Sequence, residues 1–484
     1  MIEGLQPYPE YKESGLPWLG RCPSHWKLRR TKVLFQERIQ KGFPNEPLLA
    51  ATQAKGVVRK QDYESRTVTA QKDLHLLKLV EPGDYVISLR SFQGGIEYAH
   101  HRGIISPAYT ILKPGKPARS GFYTHFFKSK QFIDSLSLFV TGIREGQNVD
   151  YSSLSRAEIP LPPPEEQSAI VRFLDHANRK IDGFIRAKRK LIALLGEQKQ
   201  AIIHRAVTGQ MDVRTGRPYP AYKPSMPAAA SVKEGGIPWL GEIPRHWEVL
   251  RLGRAIKLVT GFPFKSEGFT QKESAVRLLR GINVTPAGLQ WDATVRWERT
   301  QNDGLDPFRL EVDDIVLGMD RPIISSGVRA ARVEMKDTPS LLLQRVARLR
   351  PTERLDGGFL LLLLRGKLFA DYIAPIFTGI SVPHLSPEQI RGFKVVLPPK
   401  PEQEEIVRHI EGETAALTTA ITRTEREIAL MQEYRTRLTA DVVTGKLDVR
   451  PAAARLPDVT MEAAEQSAGA LDDGEELEQA AAQD

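Results

Sequence analysis

Two polar segments carry the residue types best suited to reading nucleic acid: "RSFQGGIEYAHHRG" from Arg90 and "DRPIISSGVRAARVE" from Asp320. Arginine can set two parallel N–H donors on the O6 and N7 of guanine, and glutamine can pair with the N6 and N7 of adenine. Basic residues beside them neutralise phosphates and fix register. On that chemistry the candidate DNA contacts are Arg90, Gln93, His101 and Arg102 in the first segment and Arg321, Arg329 and Arg332 in the second. Catalytic signatures are missing. The sequence has no G-x-x-x-x-G-K-[ST] phosphate loop, no HExxH and no GxSxG elbow. "SFQGG" at Ser91 lacks the spacing of a dinucleotide or S-adenosylmethionine loop, and "DPF" at Asp306 is one proline short of the motif of amino-methyltransferases. His25 and His246 have no ligand residues beside them for zinc, and the single cysteine, Cys22, excludes a Cys-rich metal site or a disulfide framework. The pattern is that of a binding protein with no catalytic residues and no metal.

Both segments follow a core strand, "DYVISL" or "DIVLGM", and precede a helical stretch, "HFFKSKQFIDSL" or "LLLLLRGKLFADYI". Each therefore belongs to a mixed strand-and-helix domain. The two domains are copies. "GLPWLGRCPSHW" (Gly15 to Trp26) returns as "GIPWLGEIPRHW" (Gly236 to Trp247), "YPEYK" at Tyr8 as "YPAYK" at Tyr219, and "AVTGQMDVR" at Ala206 as "VVTGKLDVR" at Val442. The offset between copies is 221 at the tryptophan motif, 230 at Asp84 and Asp314, 237 at Phe122 and Phe359, and then a constant 236 from Leu161 through Arg214. Length is free to change in residues 27–121 and 248–358, and fixed afterwards. The tryptophan pairs, Trp18 with Trp26 and Trp239 with Trp247, read as a structural staple at the domain entry.

The fixed-length part has helical periodicity. Leu174, Ile181, Ile185, Ile192, Leu195 and Ile202 keep alternating three- and four-residue spacing, and Ile410, Leu417, Ile421, Ile428, Met431 and Leu438 keep it in the second copy. Polar residues interrupt both seams at the same three positions. Five such heptads argue for a coiled coil. Prolines and acids open both helices (Glu165 and Glu166; Glu402, Glu404 and Glu405), and glycine closes them at Gly209 and Gly445. The first segment carries a net +4 and the second −2, so they suit each other better than either suits itself, and an intramolecular pair follows.

At 484 residues the chain is too long for one hydrophobic core, and 41% apolar content provides for several. The net charge of +9 hides an asymmetry: the tail from Pro451 carries −8, leaving +17 on residues 1–450. The tail is rich in alanine and acids and reads as disordered, whereas the basic body suits nucleic acid. The longest apolar run, Phe359 to Leu364, is far too short to span a bilayer, and the first residues lack a signal peptide's pattern, so a cytoplasmic location without membrane contact is expected.

Taken together, "YPEYKESGLPWLGRCPSHW", its echo, the openings "LPPPEEQ" and "LPPKPEQEEIV" and the endings "VTGQMDVR" and "VTGKLDVR" resemble the specificity subunit of Type I restriction-modification systems across residues 1 to about 450. The resemblance implies an α+β pseudo-twofold tandem repeat. Target recognition domains occupy 1–160 and 236–396, and helical regions at 161–214 and 397–450 form an intramolecular antiparallel coiled coil, with a linker at 215–235 and the tail at 451–484. It further implies a non-enzymatic subunit that reads a bipartite asymmetric site in double-stranded DNA. Two modification subunits and the motor-nuclease restriction subunits would assemble on it. Those partners would bring S-adenosylmethionine, ATP and Mg, this chain binding none. No transferable motif assigns base-reading residues. Rival readings are a self-sufficient DNA methyltransferase or nuclease, and a coiled-coil scaffold that does not bind DNA.

Overall fold

A computed structural model describes residues 5–53, 55–62, 73–89, 91–118, 121–141, 148–224, 242–324, 326–377 and 383–457. Arg90, Trp239, most of the 215–235 linker and the acidic tail beyond Pro457 lie outside the described residues. The chain forms two compact units, one from Met1–Lys188 with Arg426–Ala468, the other from Arg189–Glu425.

Each unit is built on a four-stranded antiparallel sheet. In the first the order is Phe35–Glu37, Thr110–Pro114, Tyr85–Ile87, Glu97–Tyr98, and in the second Ile256–Thr260, Val346–Pro351, Ile315–Gly318, Ala330–Arg332. The order is the same, so the repeat in sequence is a repeat in topology. Asp84 and Asp314 precede the equivalent strands and are 2% and 1% exposed. Each carboxylate accepts the N–H three residues back, from Glu81 (2.9 Å) and Glu311 (2.8 Å). Each also pairs with a guanidinium, Arg38 in one unit and Arg350 in the other, both at 2.7 Å. The two arginines come from different places along their sheets, so the buried acid is the constant and its partner the variable. Such pairing is what makes a buried carboxylate tolerable.

The cores differ in kind. Phe35, Tyr85, Phe122, Tyr123, Phe126, Phe127 and Phe132 fill the first, with edge-on and tilted ring pairs 5.0–5.9 Å apart, whereas Leu360, Leu363, Leu364, Leu368 and Ile373 dominate the second. Where the sequence suggests one helix after each sheet, there are two: Phe122–Phe126 and Lys130–Ser135, then Gly357–Arg365 and Lys367–Ile373. Glycine is a poor helix former, and Gly366 marks the second break. The bend lets both Leu363 and Phe369 enter the core, at 1% and 0% exposed.

Two long helices follow the sheets, Pro164–Val207 and Lys400–Val443, 44 residues each. Their starts are pinned by strands. Glu158–Leu161 pairs with Lys27–Arg30, and Lys394–Leu397 with Glu248–Arg251. One turn in, Gln167 and Gln403 are fully buried and donate to Pro162 O (2.9 Å) and Pro398 O (2.8 Å). Their ends close alike. Gln210 donates to Arg205 O (3.0 Å) and Lys446 to Asp441 O (2.8 Å), across Gly209 and Gly445 at φ +72° and +78°. These are glycine-dependent C-caps. A Cβ at Gly209 would lie 2.3 Å from Pro244 Cδ, and one at Gly445 2.4 Å from Pro23 Cδ.

The helices pack against each other as an antiparallel pair. In the first unit Arg435 meets Asp182, and Lys188 Nζ lies 2.7 Å from Glu427 Oε2; in the second, Lys199 Nζ donates to Thr418 Oγ1 at 2.9 Å. Partner numbers fall as residue numbers rise. The seam residues Lys188, Lys199 and Arg435 thus reach across to the other helix, and the buried Thr414 and Thr424 hydroxyls donate to Ile410 O and Ala420 O of their own helix, each at 2.7 Å. Leu174, Ile181, Ile185, Ile410 and Leu438 are buried, while Ile192, Leu195, Ile202, Leu417, Ile421, Ile428 and Met431 are half-buried.

Candidate nucleic-acid interface

The repeated tryptophan motif has a physical purpose that its spacing alone does not reveal. Glu166, in the first turn of the first long helix and 3% exposed, accepts from Trp26 Nε1 at 2.8 Å and from the Tyr8 hydroxyl, and its other oxygen lies 2.7 Å from His25 Nε2. Glu402 repeats this with Trp247 Nε1 (3.1 Å), the Tyr219 hydroxyl (2.5 Å) and His246 Nε2 (2.8 Å). Burial and then the hydrogen bond to the carboxylate push the Tyr8 and Tyr219 hydroxyls far above the usual phenol range. Trp26 and Trp247 are fully buried. The helix end of the other copy closes each cluster: Arg450, paired with Asp448 (2.6 Å), covers the Tyr8 ring at 5.1 Å. Trp18 packs on Phe126 and Phe132, at 6.0 and 6.2 Å. The sequence reading assigned Glu166 and Glu402 only to the helix dipole. The signal that could have found them is their exact 236-residue spacing beside identical Tyr, His and Trp residues, whereas Glu165 aligns with Pro401.

The sheets present the candidate DNA residues in different settings. Gln93 is exposed on the short helix Ser91–Gly94. That helix is held by Lys128, whose ammonium donates to Gly94 O (2.8 Å) and Glu97 Oε2 (2.6 Å); burial pushes the Glu97 carboxyl up to about 6, against the pull of Lys128. His101 is half-buried. Arg102 is exposed but bridges Glu46 (2.7 Å) and Glu81 (2.5 Å). In the second unit Arg332 pairs with Asp313 at 2.7 Å. Arg329 donates to Val284 O (3.0 Å), Asp320 O (3.3 Å) and Gly281 O, so its guanidinium ties the Gly281–Val284 turn to the loop that starts at Asp320. Arg321 is exposed at φ +44°, and its own N–H donates to Pro383 O at 2.8 Å. The structure thus gathers Arg321 and Arg329 at one place, while Arg332 lies on the strand Ala330–Arg332 facing an acid. Among the described residues no cluster of His, Cys, Asp and Glu could hold a metal, and no helix is long and apolar enough to cross a membrane.

Two α+β units with the same central sheet order each fasten a tryptophan motif to the first turn of a long helix through a buried carboxylate. No family model matches the chain. It is 28% identical over 343 residues to the EcoAI specificity subunit of a type I restriction enzyme of Escherichia coli, a match covering 59% of this chain and 58% of that one. It is 24% identical over 375 residues to the MjaVIII specificity subunit of Methanocaldococcus jannaschii, covering 77% and 81%. Its fold resembles a chain from a solved structure on the complex assembly and conformational transition of the type I R-M system, with a TM-score of 0.57, 15% identity and coverage of 87% and 98%. The homologues of this chain are type I restriction enzyme specificity subunits.

Proposed function

We propose that this chain is the DNA-specificity subunit of a Type I restriction-modification complex acting in the cytoplasm. Its two domains, 1–160 and 236–396, each read one half of a bipartite site, and because their variable halves differ the two half-sites differ. The helical regions set the number of unread base pairs between them. Catalysis resides in partners: two modification subunits with S-adenosylmethionine, which methylate adenine N6, and motor-nuclease subunits with ATP and Mg. The observation that carries this reading is the duplicated carboxylate lock, which gives one chain two equivalent mounts for identical partners. The direct test maps N6-methyladenine genome-wide in the source organism with the chain intact and deleted. One asymmetric bipartite motif should lose its methylation on deletion; an unchanged map in a strain that expresses the modification subunit refutes the reading.

The partner mounts make a second prediction. Leu194 and Leu430 occupy equivalent positions 236 residues apart on the long helices, and both are exposed, at 52% and 56%. We infer from their matched positions that these two side chains mark where the two identical partners dock. Leu194→Glu with Leu430→Glu should leave the thermal midpoint unchanged and abolish co-purification of the modification subunit. Either change alone should cut the stoichiometry from two to one by native mass.

A further inference from the structure

The second unit contains a cleft of about 550 Å3 between three loops. One is the turn Gly281–Asn283, which continues from the strand Val276–Leu279 of a three-stranded sheet absent from the equivalent region of the first unit among the described residues. The second runs from Asp320 to Ile324, and the third is the Leu343–Arg345 turn before the strand Val346–Pro351. Arg329 ties the first two together by its three carbonyl contacts, so the cleft has a fixed floor.

Its rim carries an unusual pair. Arg321 and Arg345 are exposed and adopt positive φ, +44° and +70°. Side chains other than glycine resist that region, and sequences retain such strain where the residue does something glycine would not. Arg345 donates to Asp320 Oδ1 at 3.4 Å, and the same oxygen is 2.6 Å from His384 Nδ1, which orients the Arg345 side of the cleft. The Arg321 guanidinium and the amides of Gln344 and Gln290 are exposed and make no side-chain hydrogen bond among the described residues. Unspent bidentate donors and amides around one concave surface are what base-edge recognition requires.

We propose that this cleft reads the second half-site, with Arg321 and Gln344 meeting base edges and Arg345 held ready at the rim. The inference rests on the DNA-reading function above and adds to it the residues that choose the sequence. It also assigns Arg329 to positioning the loops.

The test measures binding of the full chain to a duplex carrying its bipartite motif and to duplexes with either half-site scrambled. Arg321→Gly should weaken binding to the intact motif by about 10- to 100-fold, the worth of a good bidentate contact, and should make scrambling of the second half-site nearly silent. Scrambling the first half-site should cost the variant as much as it costs the unchanged protein. Because glycine fits the backbone there, Arg321→Gly and Arg345→Gly should keep or raise the thermal midpoint, so a loss of affinity is not a loss of fold. Arg321→Lys, which keeps the charge but not the two parallel donors, should also lose half-site selectivity. Full selectivity in Arg321→Gly or Arg321→Lys overturns the assignment. An unchanged protein that prefers no sequence at all overturns the function reading itself, and the two failures differ in whether the unmutated chain discriminates.

Discussion

Glu166→Ala is expected to destabilise the first unit by about 3–5 kcal/mol, read as a shift in its urea or thermal transition. The carboxylate is the common acceptor for the Trp26 indole, the Tyr8 hydroxyl and the His25 ring. Removing it strands the first two donors where no water reaches Trp26, and an unpaired buried donor costs about 1–3 kcal/mol. Losing one partner of a buried charge-assisted cluster has a total of similar size. Glu402→Ala should do the same to the second unit only. Glu165→Ala, one residue away and exposed, loses only an interaction with the helix dipole worth about 0.3–1 kcal/mol. If Glu165→Ala and Glu166→Ala cost the same, the acids serve the dipole and the lock is not one.

The second large effect concerns spacing. Inserting one heptad within Lys188–Leu195 and another within Thr424–Met431 adds seven residues to each helix at equivalent positions. A heptad preserves the seam's register. At 1.5 Å per residue it adds about 10 Å, or roughly three base pairs at 3.4 Å each. The methylated motif should therefore gain about three unread base pairs while both half-sites stay the same. An unchanged spacer would sink the proposal that the helices measure distance along DNA.

What could be read from the sequence was whatever repeats at a fixed interval. The constant 236-residue offset located both long helices, and glycine after the last turn marked their ends, because periodicity and capping are local. The strands around Tyr85 and Ile315 were legible as buried apolar runs. The carboxylate locks were not. An acid in a first turn is already accounted for by the dipole, and only the fold brings Tyr8 and His25 to Glu166, over 158 and 141 residues. Nor does sequence show where an arginine's donors go. Arg329 faces three carbonyls and Arg332 an aspartate, while Arg345, which lay outside the candidate segments, lines the cleft with Arg321.

The closure of the first unit by residues 438–449 has a consequence for synthesis. Residues 189–425 are contiguous, so the second unit holds all its pieces as soon as they leave the ribosome. The first unit must wait. Its core includes Leu438, Val442, Val443 and Val449, and Asp448 N–H bonds Gln6 O at 2.7 Å, so residues translated before the second unit are completed only by residues translated after it. Contacts so distant in sequence form late. The amino-terminal half, translated first, is thus the later to mature, and until then it keeps apolar surface open to chaperones or to a neighbouring chain.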